Sequence, residues 1–364
     1  MKKWIFRIGV VLGLVLLVFA VLLFRSEIDT TVIASYTQKE GLKNVKPGWP
    51  GTPVDQKGRF TNYEFPFLIK MRSLLQWKLG VNPQSDEKKN DPYRVVVKNP
   101  ADFLSGDKDG ILWLGHASFY IRLGGKGILI DPVFGDPWLL SREVPVESPI
   151  DKIKRVDYLL VSHDHRDHAD APTLEQLARK FPSAKFLGGL GMEDVLSSGI
   201  EGIQTRTAGW FQQFDLPDEN VKVFFVPVRH WCQRGVLDLN TRLWGGFVIQ
   251  HSDTTIYFGG DSGYGSHYRE TAEVFPDIDY FLIGIGAYKP RWFMEPNHNS
   301  PEDALKAFID SGAKTLVPMH YGTFNLSDEP PGEPVKLLRE GAKDMGIADK
   351  IKEIAIGESI DIAN

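Results

Sequence analysis

The sequence predicts an α/β (α+β) fold built from sheets covered by helices, and three observations predict it. From about residue 110 onward, short β-branched and aromatic runs recur, each ending in Gly, Asp or His. Segments at helical spacing lie between several of them, the pattern of sheets with helices packed on their faces. Charged residues make up 24% and apolar residues 42% of the 364 positions, which excludes a disordered or collagen-like chain. No repeat of solenoid period is present.

In chain order, residues 1–25 come first and differ from the rest. Lys2, Lys3 and Arg7 precede an unbroken apolar run from Ile8 to Phe24, which Arg25 closes. Counted from Trp4 the stretch is about 21 residues, enough to cross a bilayer as a helix. Val21-Leu22-Leu23-Phe24 is bulky where a small-x-small cleavage site belongs, so an uncleaved transmembrane anchor is expected rather than a signal peptide. Three basic residues before the run and one after it put the N-terminus in the cytoplasm. The expected protein is therefore single-pass, with its catalytic domain on the outer, periplasmic side. Setting those four cations aside leaves 38 of the 42 basic residues against 47 acidic ones. An acidic ectodomain without a basic run excludes nucleic-acid binding as a function class.

Residues 26–59 are polar and turn-rich, with Pro47-Gly48-Trp49-Pro50-Gly51, and read as an irregular linker. Residues 60–109 form an amphipathic, aromatic extension. Within it Phe67, Leu68, Met71, Leu74 and Leu75 fall at helical spacing, with Lys70, Arg72, Ser73, Gln76 and Lys78 between them. Such a helix packs on the following domain, and residues 60–79 also suit a membrane surface. Residues 82–92 read as an exposed loop.

Residues 110–364 form the main domain. Strands are expected at 111–114, 127–130, 158–161, 221–226, 255–258 and 315–318, and helices at 173–181 and 301–311. The last opens with Ser300-Pro301-Glu302-Asp303: a capping residue, a first-turn Pro and an acidic first turn. Reactive side chains stand just past the strand ends, the usual construction of an active site on loops held by a scaffold.

The densest chemistry is His163-Asp164-His165-Arg166-Asp167-His168. Neutral imidazoles and carboxylates are the nitrogen and oxygen ligands zinc accepts. On an extended segment His163 and His165 project to the same side and can share one ion. Asp167 and His168 follow on a turning backbone toward a second. Further candidates after strand ends are His230, Asp261 and His320. The single Cys232 excludes a disulfide framework and a cysteine-based zinc site. With no identified base partner it reads as a packed thiol. His251 and His267 lack motif context and read as surface residues.

The His-x-His-x-Asp-His run resembles the signature of the metallo-β-lactamase superfamily. Within it, the chain is most similar to the N-acylphosphatidylethanolamine-hydrolysing phospholipases D over roughly residues 60–358. That similarity is carried by Trp113-Leu114-Gly115-His116-Ala117-Ser118, Asp131-Pro132, His230-Trp231-Cys232, Leu243-Trp244-Gly245, Gly260-Asp261-Ser262-Gly263-Tyr264, the tryptophan-containing segment 285–294 and His320-Tyr321-Gly322-Thr323. The resemblance implies an αββα sandwich and two zinc ions per chain. It implies His163, His165 and His230 on one ion, Asp167, His168 and His320 on the other, and Asp261 bridging. A metal-bridging hydroxide would then cleave a phospholipid phosphodiester, with Asp167, Asp261 and His298 as the catalytic group. His298 would contact the phosphate or assist the leaving group.

Supporting roles follow from the same resemblance. Asp131 is the candidate orienter of a ligand, ahead of Asp164, which reads as solvent-facing. His116 donates to substrate, orients a ligand or serves the fold. Two positions depart from the phospholipase pattern: Gln233 replaces a Lys, with Arg234 next to it, and Asn297 replaces a Gln. Both bear on the head group the site accepts. The family also implies a homodimer. The leading expectation is thus a membrane-anchored dizinc phosphodiesterase whose partner is its phospholipid substrate. A lactonase or carboxylic-ester hydrolase of the same superfamily is the first alternative, since the same ligands serve attack on a carbonyl. A non-catalytic zinc-binding envelope protein is the second.

Overall fold

The computed structural model describes residues 9–10, 13–15, 17–18, 32–64, 66, 69, 71–137, 140, 142–217 and 220–362, the Met71 side chain excepted. A short ribbon pairs Ser35–Thr37 (β1) with Thr52–Val54 (β2). Gly110–Gly115 (β3), Ser118–Leu123 (β4), Lys126–Ile130 (β5), Tyr158–Leu160 (β6), Lys185–Gly189 (β7) and Gln204–Ala208 (β8) follow. Then come Gln212–Gln213 (β9), Val221–Val226 (β10), Gly246–His251 (β11), Thr254–Phe258 (β12), Tyr280–Gly284 (β13), Thr315–Met319 (β14) and Ser359–Asp361 (β15). They form two large sheets, ordered β15-β3-β4-β5-β6-β7-β8 and β14-β13-β12-β11-β10-β9.

Every residue of β3 is buried because the two faces of its sheet meet different cores. Ile111 and Trp113 point to the inner core shared with the second sheet, alongside Phe119, Phe225, Phe247 and Phe258. Leu112 and Leu114 point outward, where Leu129 and Leu159 meet Leu174, Leu177 and Ala178 of the helix Ala171–Lys180. The second sheet repeats the scheme. Phe258 faces Phe119 across the inner core, with ring centroids 6.3 Å apart. Tyr257 stacks on Phe281 at 4.5 Å on the opposite face, under Tyr268 of the helix His267–Val274. The order is helix, sheet, sheet, helix, which explains why these strands read as continuous apolar runs.

The expected helices form, with their starts set by caps. Asp170 accepts from the Thr173 backbone N–H, so the first helix begins at Ala171 rather than 173. Ser300 and Asp303 make a reciprocal capping box at the head of Pro301–Ser311.

Two expectations for the N-terminal region change, those for residues 26–59 and 82–92. Residues 32–60 are bonded to the domain rather than forming a free linker. Thr52 Oγ1 accepts from the Trp210 backbone N–H at 2.9 Å, and the Trp49 ring meets Phe211 at 5.0 Å. The helix Met71–Leu79 packs through Trp77, whose ring lies 5.2 Å from Phe293 and whose Nε1–H donates to Asp328 Oδ1 at 3.0 Å. Phe67, Leu68 and Lys70 lie outside the described residues. Within 82–92, Ser85–Asn90 is a short helix with no buried residue.

The expected membrane span is overturned. Among the described residues no helix is long and apolar enough to cross a membrane. A span needs about 20 consecutive apolar helical residues. Of the 8–24 run, only 9–10, 13–15 and 17–18 are described, and they are helical and exposed. The remainder of that run lies outside the described residues. The single-pass topology, with a cytoplasmic N-terminus and a periplasmic domain, is set aside on that finding.

Strand direction decides where the loops emerge. β3 and β5 run parallel because each is antiparallel to β4, and β5 is parallel to β6. In the other sheet β10, β12, β13 and β14 likewise share one direction. The loops after all seven strands therefore leave from matching edges of their sheets.

Candidate metal centre

Each of those loops delivers a reactive side chain. The loop after β3 brings His116, the one after β5 Asp131, and the one after β6 residues 163–168. In the second sheet the loop after β10 brings His230, the one after β12 Asp261, the one after β13 Asn297 and His298, and the one after β14 His320. The backbone is strained where several are presented: His116, Asp131 and His320 have φ of 53°, 41° and 62°. Non-glycine residues are held in this region only when the surroundings enforce it, and they cluster at functional sites. Tight packing enforces it at His320, since a Cβ on Gly286 would lie 2.2 Å from the His320 carbonyl oxygen.

Two donor groups result. In the first, His165 Nδ1 lies 2.9 Å from His163 Nε2 and 3.1 Å from His230 Nε2. In the second, His168 Nε2 lies 3.4 Å from His320 Nε2, and Asp167 Oδ2 is 3.6 and 3.7 Å from those two nitrogens. Asp261 Oδ2 sits between the groups, 3.2 and 3.1 Å from His168 and His320 and 3.9 Å from both His163 and His230. Residues from both groups are buried. These are candidate His/Asp metal-binding groups.

The outer hydrogen bonds decide which ring nitrogen each imidazole offers. Asp131 is fully buried and accepts from His168 Nδ1–H at 2.8 Å, from the Ser162 backbone N–H at 2.7 Å and from Ser162 Oγ–H at 2.6 Å. Ser162 Oγ in turn accepts from His163 Nδ1–H at 2.9 Å. The Asn297 carbonyl accepts from His230 Nδ1–H at 3.1 Å. In all three rings the proton is held on Nδ1, and the Nε2 lone pair is turned to the centre. His116 Nε2 contacts Asp167 Oδ2 at 3.0 Å. Its own loop is held by Thr323 Oγ1, which accepts from the His116 backbone N–H at 2.8 Å.

The donor set fits a metal. Burial, with His168 as the next cause, holds His163 well below the usual imidazole range; burial likewise holds His230 well below it and lowers His165. Neutral imidazoles whose lone pairs converge within about 3 Å gain nothing from each other but suit a cation. Burial opposes charge on Asp167 and Asp261, yet the surrounding imidazoles, His168 first, outweigh it and hold both carboxyls well below their usual range. The same attraction pushes His320 up to about 9 against its burial, and raises His168. Those protons occupy the nitrogens a second cation would take. Asp261 Oδ1 is buried with no hydrogen-bond partner among the described residues, an open acceptor at the junction.

The remaining expected residues lie near the centre in different ways. His298 Nδ1 is 3.8 Å from Asp261 Oδ2, and burial lowers its pKa to about 4, so the ring is neutral. Asn297 is buried and serves His230 through its backbone. Arg234 does not project freely: its Nη1 donates to the Asp164 and Ala169 carbonyls at 2.7 and 2.8 Å. Gln233 Nε2 donates to the Gly235 carbonyl at 3.0 Å. Burial pushes the Cys232 thiol up, in keeping with a packed thiol.

Two residues are corrected. Asp164 is buried rather than solvent-facing and pairs with Arg242 at 3.2 Å. His267 is buried, 3.0 Å from Ser262 Oγ, because the helix His267–Val274 lies over the second sheet. Ser162 carries no motif signal in the sequence, while Thr323 and Trp231, whose ring lies 4.5 Å from His165, stand in segments that carry the resemblance but have no role assigned from it.

Known proteins share this fold and parts of this sequence. The family described as beta-lactamase superfamily domain matches residues 126–321. N-acyl-phosphatidylethanolamine-hydrolyzing phospholipase D 1 of Caenorhabditis elegans is 29% identical over 82% of this chain and 90% of its own. An uncharacterized protein of Mycobacterium tuberculosis (strain ATCC 25618 / H37Rv) is 34% identical over 80% of each chain. Among solved structures, Igni18, a metallo hydrolase from the archaeon Ignicoccus hospitalis KIN4/I, superposes with a TM-score of 0.55 at 22% identity, covering 71% of this chain and 99% of its own. That last likeness concerns the fold.

Proposed function

The chain belongs to the beta-lactamase superfamily and is a metal-dependent hydrolase of that fold; on this premise we propose that it is a dizinc phosphodiesterase acting on phospholipid. Its products would be phosphatidic acid and an N-acylethanolamine, formed from N-acylphosphatidylethanolamine. One observation carries the reading: two sets of largely buried donors meet at the single carboxylate of Asp261. The similarity to the nematode phospholipase D, over 82% of this chain and 90% of that one, supports the substrate class.

In this reading His163, His165 and His230 would hold one ion and Asp167, His168 and His320 the other, with Asp261 within reach of both sets. Paired ions supply Lewis-acid polarisation of a phosphoryl oxygen and a water acidic enough to act as a nucleophile near neutral pH. The chain's own residues do the rest. Asp131, Ser162 and the Asn297 carbonyl hold protons on the outer nitrogens of His168, His163 and His230, so those ligands stay in the binding tautomer. His116 holds the Asp167 carboxylate against rotation. His298, neutral and partly open to solvent, contacts the phosphate through a ring N–H rather than delivering a proton as an imidazolium.

The test uses the full-length chain loaded with zinc and mixed with micelles containing N-acylphosphatidylethanolamine, with products read by mass spectrometry. Phosphatidic acid plus N-acylethanolamine, both absent with His320→Ala, is the expected outcome. Free fatty acid would place the chemistry at a carboxylic ester or amide instead. Absence of any product from a zinc-loaded chain would refute the phospholipid reading.

A further inference from the structure

We propose that Arg234 and Arg242 are positioning residues that clamp the metal-binding loop from its outer side and hold His165 in line with His163 and His230. The inference rests on the two-ion reading and adds to it a device outside the ligand set. Asp164 stands between the ligands His163 and His165, and its side chain is 0% exposed. Arg242 Nη1 reaches Asp164 Oδ2 at 3.2 Å and Asp238 Oδ2 at 2.7 Å. The same guanidinium grips Asp194 with two bonds, Nε to Oδ1 at 3.1 Å and Nη2 to Oδ2 at 2.7 Å. Arg234 takes the main chain instead, donating from Nη1 to the carbonyls of Asp164 and Ala169 at 2.7 and 2.8 Å, on either side of residues 165–168.

Both arginines sit on a strap that is itself closed and anchored. The Cys232 backbone N–H donates to Asn240 Oδ1 at 3.1 Å, and the Asn240 backbone N–H to the Cys232 carbonyl at 2.8 Å. Farther on, the Gly245 backbone N–H donates to the Ser162 carbonyl at 3.0 Å, next to His163. The strap follows directly from His230, so the segment that presents one ligand also grips the loop that presents two others. A well-packed apolar replacement serves stability as well as a buried ion pair does, whereas removing one partner strands a buried charge. Stranding Asp164 displaces the loop between its two histidines.

Co2+ binding to the full-length chain tests this, read by visible absorption and by competition with a chelator. Circular dichroism and the metal-free thermal midpoint confirm folding. Arg242→Met and Arg234→Met are expected to weaken Co2+ binding about 10- to 100-fold, the range for residues that orient a ligand, and to change the Co2+ spectrum. Arg242→Lys recovers part of the loss. Asp164→Asn, whose amide oxygen can still accept from Arg242, costs less than Arg242→Met, and combined with Arg242→Met it recovers affinity relative to Arg242→Met alone, since no charge is left unpaired. That rescue separates positioning from general damage. Unchanged Co2+ affinity in folded Arg234→Met and Arg242→Met, or a double variant weaker than Arg242→Met, overturns the clamp. If Arg242→Met does not fold, Arg234→Met and the Asp164→Asn pairing with Arg242→Lys decide by the same criteria. A wild-type chain that binds no Co2+ overturns the metal reading and the clamp with it, whereas tight wild-type binding with unchanged variants overturns the clamp alone.

Discussion

Replacing Asp131 by Asn changes one atom and strikes both donor groups. The native carboxylate is an acceptor on both oxygens. Oδ1 takes the Ser162 backbone N–H, while Oδ2 takes Ser162 Oγ–H and His168 Nδ1–H. An amide has one oxygen, so one side must present N–H to N–H. If the amide nitrogen faces the Ser162 backbone, a fully buried donor pair is left unsatisfied, at a cost of about 1–3 kcal/mol. If it faces His168, the imidazole must accept on Nδ1 and carry its proton on Nε2. That nitrogen points at Asp261 Oδ2 at 3.2 Å and would no longer be a ligand. Through Ser162 Oγ the same disturbance reaches His163 Nδ1. Orienting residues of this kind are worth about 10- to 100-fold in metal affinity, or about 1.4–2.8 kcal/mol. The assay is equilibrium zinc competition with a fluorescent chelator, together with urea unfolding of the metal-free chain. Asp131→Asn should weaken binding at both ions. Ser162→Ala should weaken chiefly the His163 group. Zinc affinity and stoichiometry of Asp131→Asn equal to wild type would refute the assignment of tautomers.

Further outcomes follow from the same geometry. Asp261→Ala removes the shared carboxylate; zinc stoichiometry measured by mass spectrometry should fall and hydrolysis drop by at least about 100-fold. For the metal-free chain, His320 is raised to about 9 from 6.5, so its contribution is full below pH 6.5 and is lost as pH climbs through about 9. His116, His267 and His298 are lowered to about 3, 3 and 4, so their contribution is full above pH 6.5 and is lost as pH falls toward those values. The thermal midpoint without metal should therefore peak near pH 6.5, and a profile rising steadily from pH 6.5 to 9 would contradict this. Zinc affinity should increase through the upper window as His320 gives up its proton. Gly286→Ala places a methyl 2.2 Å from the His320 carbonyl oxygen and should cost about 1–3 kcal/mol in urea unfolding, with weakened zinc binding.

How far the chain was legible varies by residue. His163, His165, Asp167 and His168 stand out as one local run, whereas His230, Asp261 and His320 are only candidates at strand ends until the family resemblance sets them beside that run. The helix Pro301–Ser311 was bounded by its own capping box, an interaction three residues long. Such features are set within a few residues of themselves, so sequence carries them. The helix Met71–Leu79 was legible as amphipathic, but its packing partner was not, since Phe293 and Asp328 lie more than 200 residues away.

Sequence alone thus pointed to the candidate reactive groups, to most of the strand runs that carry them and to the capped start of Pro301–Ser311. The tertiary structure alone decided burial and partnership. Asp164 and His267 looked like surface residues because their local sequence is polar; Arg242 and the layer of helices over the second sheet bury them. Ser162 and Thr323 are ordinary hydroxyl residues until a distant strand end brings Asp131 or His116 to them. The parallel strand directions bring donors as far apart as His116 and His320 into one centre, and that convergence depends on contacts between remote parts of the chain.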